Sequence, residues 1–240
     1  MSMANREELF YQNLIIDDAD IIRAVKALKS KGIEKHILIK EKLLAWNESN
    51  EIEYSKIAST YRYDKRIRNT LFKYISYLEE FYRAVILDNY IQDIEQEFWG
   101  TAVRLNLKRH NNNLNDALEH LDFYDLLKQC QKLPDKIKND CLFSQEHLKR
   151  NLFALKELRN AVMHNKFLLL YRGYDVCYVN GVGAGKSANL KANILNLIQF
   201  LPTEVGEQCA KDINACKEDR NKEGDTKWDL PSQIVIAIDI

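Results

Sequence analysis

The chain has 240 residues, and its 35 basic and 35 acidic side chains give a formal net charge of +0. This balance excludes a uniformly basic nucleic-acid-binding surface, while 8 glycines and 3 prolines argue against a turn-rich β-sandwich and against a disordered chain. The five cysteines form no C-x-x-C pair, no apolar run is long enough to span a bilayer, and residues 1–12 contain no apolar signal core, so we expect a cytoplasmic protein without a membrane partner.

The first part of the chain carries helical patterns. Apolar residues at steps of three and four predict a helix over 17–31 and a second, short helix over 37–46. The strongest pattern runs over 64–90, where Ile67 begins an apolar stripe that continues through Leu71, Ile75, Leu78 and Tyr82. Asp64 is the predicted N-cap of this helix, because its side chain can accept hydrogen bonds from the first turn.

The middle of the chain is predicted to be helical as well. Helices are expected over 98–107, 117–131 and 144–164, with a polar loop at 110–115 and a short helix opened by Pro134. The histidines share no spacing typical of metal ligands, so we predict neither a metal nor a cofactor.

The composition changes after Phe167. A strand is predicted over 171–179, followed by a Gly-rich loop at 180–187 and a helix at 188–201. A charged linker at 217–227 precedes a second predicted strand at 234–238. These elements predict a mainly α protein with a small C-terminal β-hairpin or strand element.

The Gly-rich segment Gly181–Ser187 invites comparison with a phosphate-binding loop, because it lies between a predicted strand and a predicted helix. The pattern departs at its first glycine, where Asn180 stands, and too few residues follow for a complete nucleotide-binding sheet. Nucleotide binding is therefore a distant third hypothesis. We predict instead that Lys186 contacts an RNA phosphate.

The segment from Arg159 to His164 contains the candidate catalytic residues. Asn160 and His164 are four residues apart and share a helix face, with Arg159 to one side. Arginine offers a permanently cationic fork for a phosphate, and histidine exchanges protons near neutral pH. One set supplies few groups, whereas a twofold homodimer would supply two. The structural alternative is a helix end whose Arg and His interact with the terminal carbonyls.

Residues 158–164 resemble the Arg-polar-x-x-x-His motif of HEPN domains. A second segment, 61–68, is similar to the corresponding part of the Abi-like (abortive infection) family of bacterial defence proteins, although Tyr63 stands where Phe is usual. The similarity continues along the same predicted helix at Ile75, Leu78, Glu79 and Arg83. Together the two segments span roughly 61–167.

The resemblance implies an HEPN-like helical bundle at residues 53–170. A helical N-terminal extension at 1–52 would precede it, and a strand-loop-helix region at 171–240 would pack on it. It further implies a metal-independent endoribonuclease of an abortive-infection or toxin-type defence system, which cleaves RNA at a composite site in a homodimer. Arg159, Asn160 and His164 would be the catalytic residues.

RNA is the partner that this resemblance implies, with a cognate antitoxin or activator as a further candidate. The residues predicted to bind RNA are Arg62, Lys65, Arg66, Arg68 and Lys186. The alternative is a catalytically inactive HEPN-like module that binds RNA or a protein partner.

Overall fold

The computed structural model describes residues 3–47, 50–90, 99–133, 148–177, 186–217, 230 and 232–239. Within these ranges the chain is mainly helical, with ten α-helices and two small two-stranded sheets. The predicted mainly α class is therefore confirmed. The helix opened by Pro134 and most of the Gly-rich loop, residues 180–185, lie outside the described residues.

The chain divides into two compact units. The first comprises Met1–Ile67 and Ile213–Ala237, and the second comprises Arg68–Asp212 and Ile238–Ile240. The boundary between them falls inside one long helix. The domain boundaries proposed from the sequence, after residues 52 and 170, stay predictions.

The first unit is built from α1 (Met3–Tyr11), α2 (Asp18–Lys31), α3 (Ile33–Asn47) and the first part of α4 (Tyr54–Tyr90). Two short strands pair in parallel: β1 (Leu14–Ile15) follows α1, and β2 (Ile52–Glu53) precedes α4. The helix predicted over 17–31 is confirmed, with Asp17 as its cap: the carboxylate accepts from the Asp20 N–H at 2.7 Å. Gly32, at φ 86°, separates α2 from α3, a conformation that glycine adopts at little steric cost.

The prediction that Asp64 caps a helix is wrong. Helix α4 already begins at Tyr54, and Asp64 is buried in its interior, only 2% exposed. The apolar face extends toward the N-terminus through Ile57, but the buried polar residues Ser59 and Thr60 interrupt the pattern in the sequence. Burial of polar side chains inside the first unit therefore concealed the true start of the helix.

The second unit contains the rest of α4 and six further helices. They are α5 (Thr101–Arg109), α6 (Leu114–Glu119), α7 (Phe123–Cys130), α8 (Leu148–Met163), α9 (Leu190–Phe200) and most of α10 (Thr203–Ala215). The antiparallel strands β3 (Arg172–Cys177) and β4 (Lys186–Asn189) pair with one another. Strand β3 contacts both α8 and α9.

Several predicted elements of the second half need correction. The single helix predicted over 117–131 is two helices, because Asp122 accepts a hydrogen bond from the Asp125 N–H at 2.8 Å and starts α7 anew. Likewise Asn113 caps α6 within the predicted polar loop. Helix α10 was not predicted at all.

The strand predicted at 234–238 is also absent from the described C-terminal residues. Ser232–Ile234 forms a 3-10 turn, and residues 235–239 are in neither helix nor strand. The Ile236 N–H donates to the Tyr63 hydroxyl at 2.8 Å. The buried Tyr63 hydroxyl therefore accepts the backbone hydrogen bond that a carbonyl of a neighbouring strand would accept in a sheet.

The second half of α4 contributes to the core of the second unit. The predicted stripe residues Leu71, Ile75, Leu78 and Tyr82 are all fully buried, as predicted. The Tyr82 hydroxyl donates to the Phe200 carbonyl at 2.9 Å, which satisfies the one polar atom of that side chain. This part of α4 also carries the residues that position the candidate site.

Candidate functional site

The candidate site lies at the C-terminal end of α8. Leu158, Ala161 and Val162 are buried on the inner face of this helix. Asn160 is half-buried and His164 is exposed. Because residues four apart share a helix face, burial of the apolar residues leaves Asn160 and His164 on the outer side.

The end of α8 is fixed by backbone hydrogen bonds. Asn165 adopts the left-handed conformation at φ 53°, and its N–H donates to the Val162 carbonyl at 3.1 Å. The Lys166 N–H donates to the Ala161 carbonyl at 3.0 Å. These two bonds form a Schellman motif, in which asparagine is tolerated in place of glycine. His164 is therefore held at the C-cap rather than in a mobile loop.

Arg68 on α4 anchors the same turn from outside. Its Nη1 donates to the carbonyls of Asn165 and Lys166 at 3.2 and 3.1 Å, and the residue is only 8% exposed. A cation beside the carbonyls that end a helix interacts favourably with their partial negative charge. Two of the contacts of Arg68 therefore support the backbone that carries His164, and its predicted contact with RNA stays a prediction.

Arg159 is held by a carboxylate of α4. Its Nε donates to Glu79 Oε1 at 3.1 Å, while Glu79 Oε2 lies 3.5 Å from Arg83 Nη2. Arg83 Nε in turn donates to the Leu118 carbonyl at 3.3 Å. The terminal nitrogens of Arg159 make no hydrogen bond to the described residues, and its side chain is 31% exposed. Glu79 thus orients Arg159, and no described residue forms a hydrogen bond with the two terminal nitrogens of its guanidinium.

The side chains of His164 and Asn160 have no polar partner among the described residues. Neither side chain forms a hydrogen bond or an ion pair within the described ranges. The imidazole can therefore meet a ligand from solvent, and the Asn160 amide offers both a donor and an acceptor beside it. The end of α8 thus carries a guanidinium together with an imidazole, a side chain whose ring nitrogens can donate or accept a hydrogen bond.

A groove of about 500 Å³ adjoins this helix end and was missed by the sequence analysis. It is lined by aromatic and charged side chains, among them Glu157, Lys166, Phe167 and Tyr171. Burial, with a smaller contribution from Glu157, raises the pKa of Tyr171. The sequence does contain a signal for this groove, because an aromatic and basic stretch follows His164. Part of that stretch was instead assigned to the predicted strand over 171–179.

The residues predicted to bind RNA are divided between the two units. Arg62, Lys65 and Arg66 belong to the first unit and Arg68 to the second. Arg66 Nη2 donates to the Ala215 carbonyl at 3.3 Å, a structural contact within the first unit. Lys65 is exposed.

The backbone around Lys186 differs from that of a phosphate-binding loop. Lys186 and Ser187 lie in β4, opposite Cys177 and Val176, and their side chains lie outside the description. In a phosphate-binding loop these two residues open a helix whose N–H groups surround the phosphates. Here the helix begins at Leu190, so that geometry is not formed.

Comparisons with protein-family models, curated protein sequences and solved structures returned no match. Among the residues that the structure describes, no helix has the length and apolar character needed to cross a membrane. The same residues contain no group of three or more His, Cys, Asp or Glu side chains arranged to hold a metal ion. The function therefore has to be argued from the site.

Proposed function

We propose that this protein is a metal-independent endoribonuclease of the HEPN type, similar to Abi-like abortive-infection proteins, and that it cleaves RNA in a homodimer. The observation that supports this most is the ion pair between Glu79 and Arg159. It joins the two segments on which the resemblance rests, although they are eighty residues apart in sequence. Arg68, from the first segment, supports the turn after His164 in the same way.

The chemistry needs one proton acceptor and one proton donor. His164 removes the proton of a ribose 2′-hydroxyl, whose oxygen then attacks the adjacent phosphorus. The bond to the 5′-oxygen breaks, and a protonated imidazole gives that oxygen its proton. The products are a 2′,3′-cyclic phosphate and a 5′-hydroxyl. DNA lacks the attacking hydroxyl and is not a substrate.

Arg159 and Asn160 have supporting roles in this mechanism. The terminal nitrogens of Arg159, which make no hydrogen bond to a described residue, stabilise the negative charge that builds on the phosphate oxygens in the transition state. Asn160 shares the helix face of His164 and orients either the imidazole or the RNA. Glu79 is a positioning residue, because it contacts Arg159 rather than the substrate.

A homodimer completes the site. One chain supplies a single exposed histidine at the end of α8, whereas the mechanism uses an acid and a base. A twofold axis beside His164 would bring two histidines and two arginines to one phosphodiester. Light scattering over a dilution series tests the assembly, and a strict monomer that cleaves RNA at micromolar concentration would contradict the composite site.

Cleavage of a mixed RNA substrate in EDTA tests the activity. We expect His164→Ala and Arg159→Ala each to lower the rate about 10²–10⁴-fold, the usual effect of losing a proton-transfer group. His120→Ala is the matched control for the histidine, since His120 is an exposed C-cap residue of α6. Arg104→Ala, on the exposed face of α5, is the control for the arginine.

The outcomes separate the possibilities. Equal cleavage by wild type and His164→Ala would remove the catalytic assignment, and loss of wild-type cleavage in EDTA would remove the metal-independent mechanism. A product with a 5′-phosphate would contradict attack by the 2′-hydroxyl. Circular dichroism of each variant shows whether the fold is retained.

One observation favours the inactive binding module as a second candidate. Glu79 partly neutralises Arg159, which weakens the positive potential offered to a phosphate. An inactive module would bind RNA or a protein with equal affinity in the wild type and in His164→Ala, and neither form would cleave RNA. Gel-shift titration beside the cleavage assay distinguishes this candidate from the nuclease.

A further inference from the structure

The first unit contains a basic cavity that the proposed nuclease mechanism does not use. Its volume is about 120 Å³, and it lies between α2, the start of α3 and the first turns of α4. Arg23, Lys31 and Arg62 contribute to its lining, and Asp20 is the one acidic residue among the lining residues. Three permanent or near-permanent cations therefore share one cavity with a single carboxylate.

The carboxylate is already engaged. Asp20 Oδ1 accepts from Arg23 Nη1 at 3.3 Å, one turn along α2. The Lys31 ammonium lies 5.0 Å from the centre of the Tyr61 ring, a cation–π contact. Lys31 has no hydrogen bond or ion pair with any residue in the described ranges. Among the described residues, the Lys31 ammonium therefore lies against an aromatic ring and is paired with no acid.

The surroundings of Lys31 disfavour its charged form. Burial, followed by repulsion from Lys65 and Arg62, lowers the pKa of Lys31. A bound anion would offset that repulsion, because opposite charge favours the ammonium form. The electrostatics of the cavity therefore favour an anionic ligand over a neutral one.

The wall of the cavity is ordered by aromatic packing. His36 is buried and stacks on Tyr61, with ring centres 5.1 Å apart and planes within 9°. Its Nδ1 donates to the Gly32 carbonyl at 2.9 Å. Arg62 Nη2 donates to the Ser59 hydroxyl at 3.1 Å. These contacts hold Tyr61 and Arg62 in position before any ligand arrives, which lowers the entropy lost on binding.

We propose that this cavity binds a phosphate group, either on a free small molecule such as a nucleoside monophosphate or at the 5′ end of an RNA. Arginine forks and a lysine point charge together suit the several oxygens of a phosphate. Arg62 is one of the residues expected from the sequence to contact RNA, and here it lies beside two further cations. The proposal does not depend on cleavage at His164.

Titration calorimetry at low salt tests the site directly, with inorganic phosphate and 5′-AMP as probes. We expect Lys31→Gln to weaken phosphate binding about tenfold, which is about 1.4 kcal/mol, because the variant loses a charge-assisted hydrogen bond to the phosphate. Arg23→Gln should also weaken it. Lys29→Gln is the matched control, because Lys29 is exposed on the same helix and does not line the cavity; it should bind as the wild type does.

A second arm distinguishes the two sources of the phosphate. One RNA oligonucleotide is compared in its 5′-phosphate and 5′-hydroxyl forms, using His164→Ala protein so that cleavage does not interfere. Preference for the 5′-phosphate form that is lost in Lys31→Gln assigns an RNA end. Binding of phosphate and 5′-AMP without such a preference assigns a free ligand. No binding of any probe at millimolar concentration, or equal binding by Lys31→Gln and Lys29→Gln, would overturn the proposal.

Discussion

Replacing Glu79 by glutamine removes the charge that holds Arg159 against α4. Glu79 is only 15% exposed in its side chain and lies between Arg159 and Arg83, which are 31% and 21% exposed. Exposed ion pairs contribute about 0–1 kcal/mol, whereas breaking a buried one costs about 3–5 kcal/mol. The intermediate exposure places Glu79→Gln between these limits, at a loss of about 2 kcal/mol in the free energy of unfolding.

Urea denaturation measures this loss, and thermal unfolding should show a midpoint lowered by about 4–8 °C. Glu80→Gln is the control, because Glu80 is the exposed neighbour on the same helix and pairs with no described cation. A double-mutant cycle with Arg159→Gln isolates the pair. Its coupling energy should be about 1–2 kcal/mol, within the range for residues in contact.

Two results would refute the reasoning. Equal stability of Glu79→Gln and Glu80→Gln would show that the pair does not stabilise the second unit. Strict additivity with Arg159→Gln would show that Glu79 acts on something other than Arg159. If the pair positions a catalytic arginine, Glu79→Gln should also reduce kcat more than it raises KM, while Glu80→Gln should leave both unchanged.

Three further predictions concern the second unit. Arg68→Met removes two bonds to the turn after His164, and denaturation should show a loss of about 1–3 kcal/mol. Burial alone would raise the pKa of Asp212, but hydrogen bonds from Tyr74, Lys73 and Gln208 hold it below its ordinary value. The stabilisation it gives should be complete above about pH 4 and should be lost as pH falls through the folded pKa, and a pH series of unfolding curves should be flatter for Asp212→Asn. Gly173→Ala would place a methyl group in steric conflict with the Tyr171 ring, so thermal unfolding should show destabilisation of about 1–3 kcal/mol.

Local patterns in the sequence determined much of the helical framework. The stripe from Ile67 to Tyr82 is buried, as its period predicts, because one face of a helix recurs every three to four residues. The same rule placed Asn160 and His164 on one side of α8. Errors arose where local pattern and burial disagree, as at Asp64, a buried polar residue inside a helix. The resemblance to HEPN and Abi-like proteins remains a prediction drawn from spacing and residue type.

The tertiary structure alone decided which charged residues act together. Glu79 meets Arg159, and Arg68 meets the turn after His164, across long separations in the chain. Sequence spacing carries no information on such pairs, since they depend on how α4 and α8 pack. The basic residues after Tyr61 looked like one track in the sequence, yet Arg62 lines a cavity whose other cations come from α2. The spacing of residues along the chain determines which side chains share a helix face. Only packing in the tertiary structure brings the faces of different helices together.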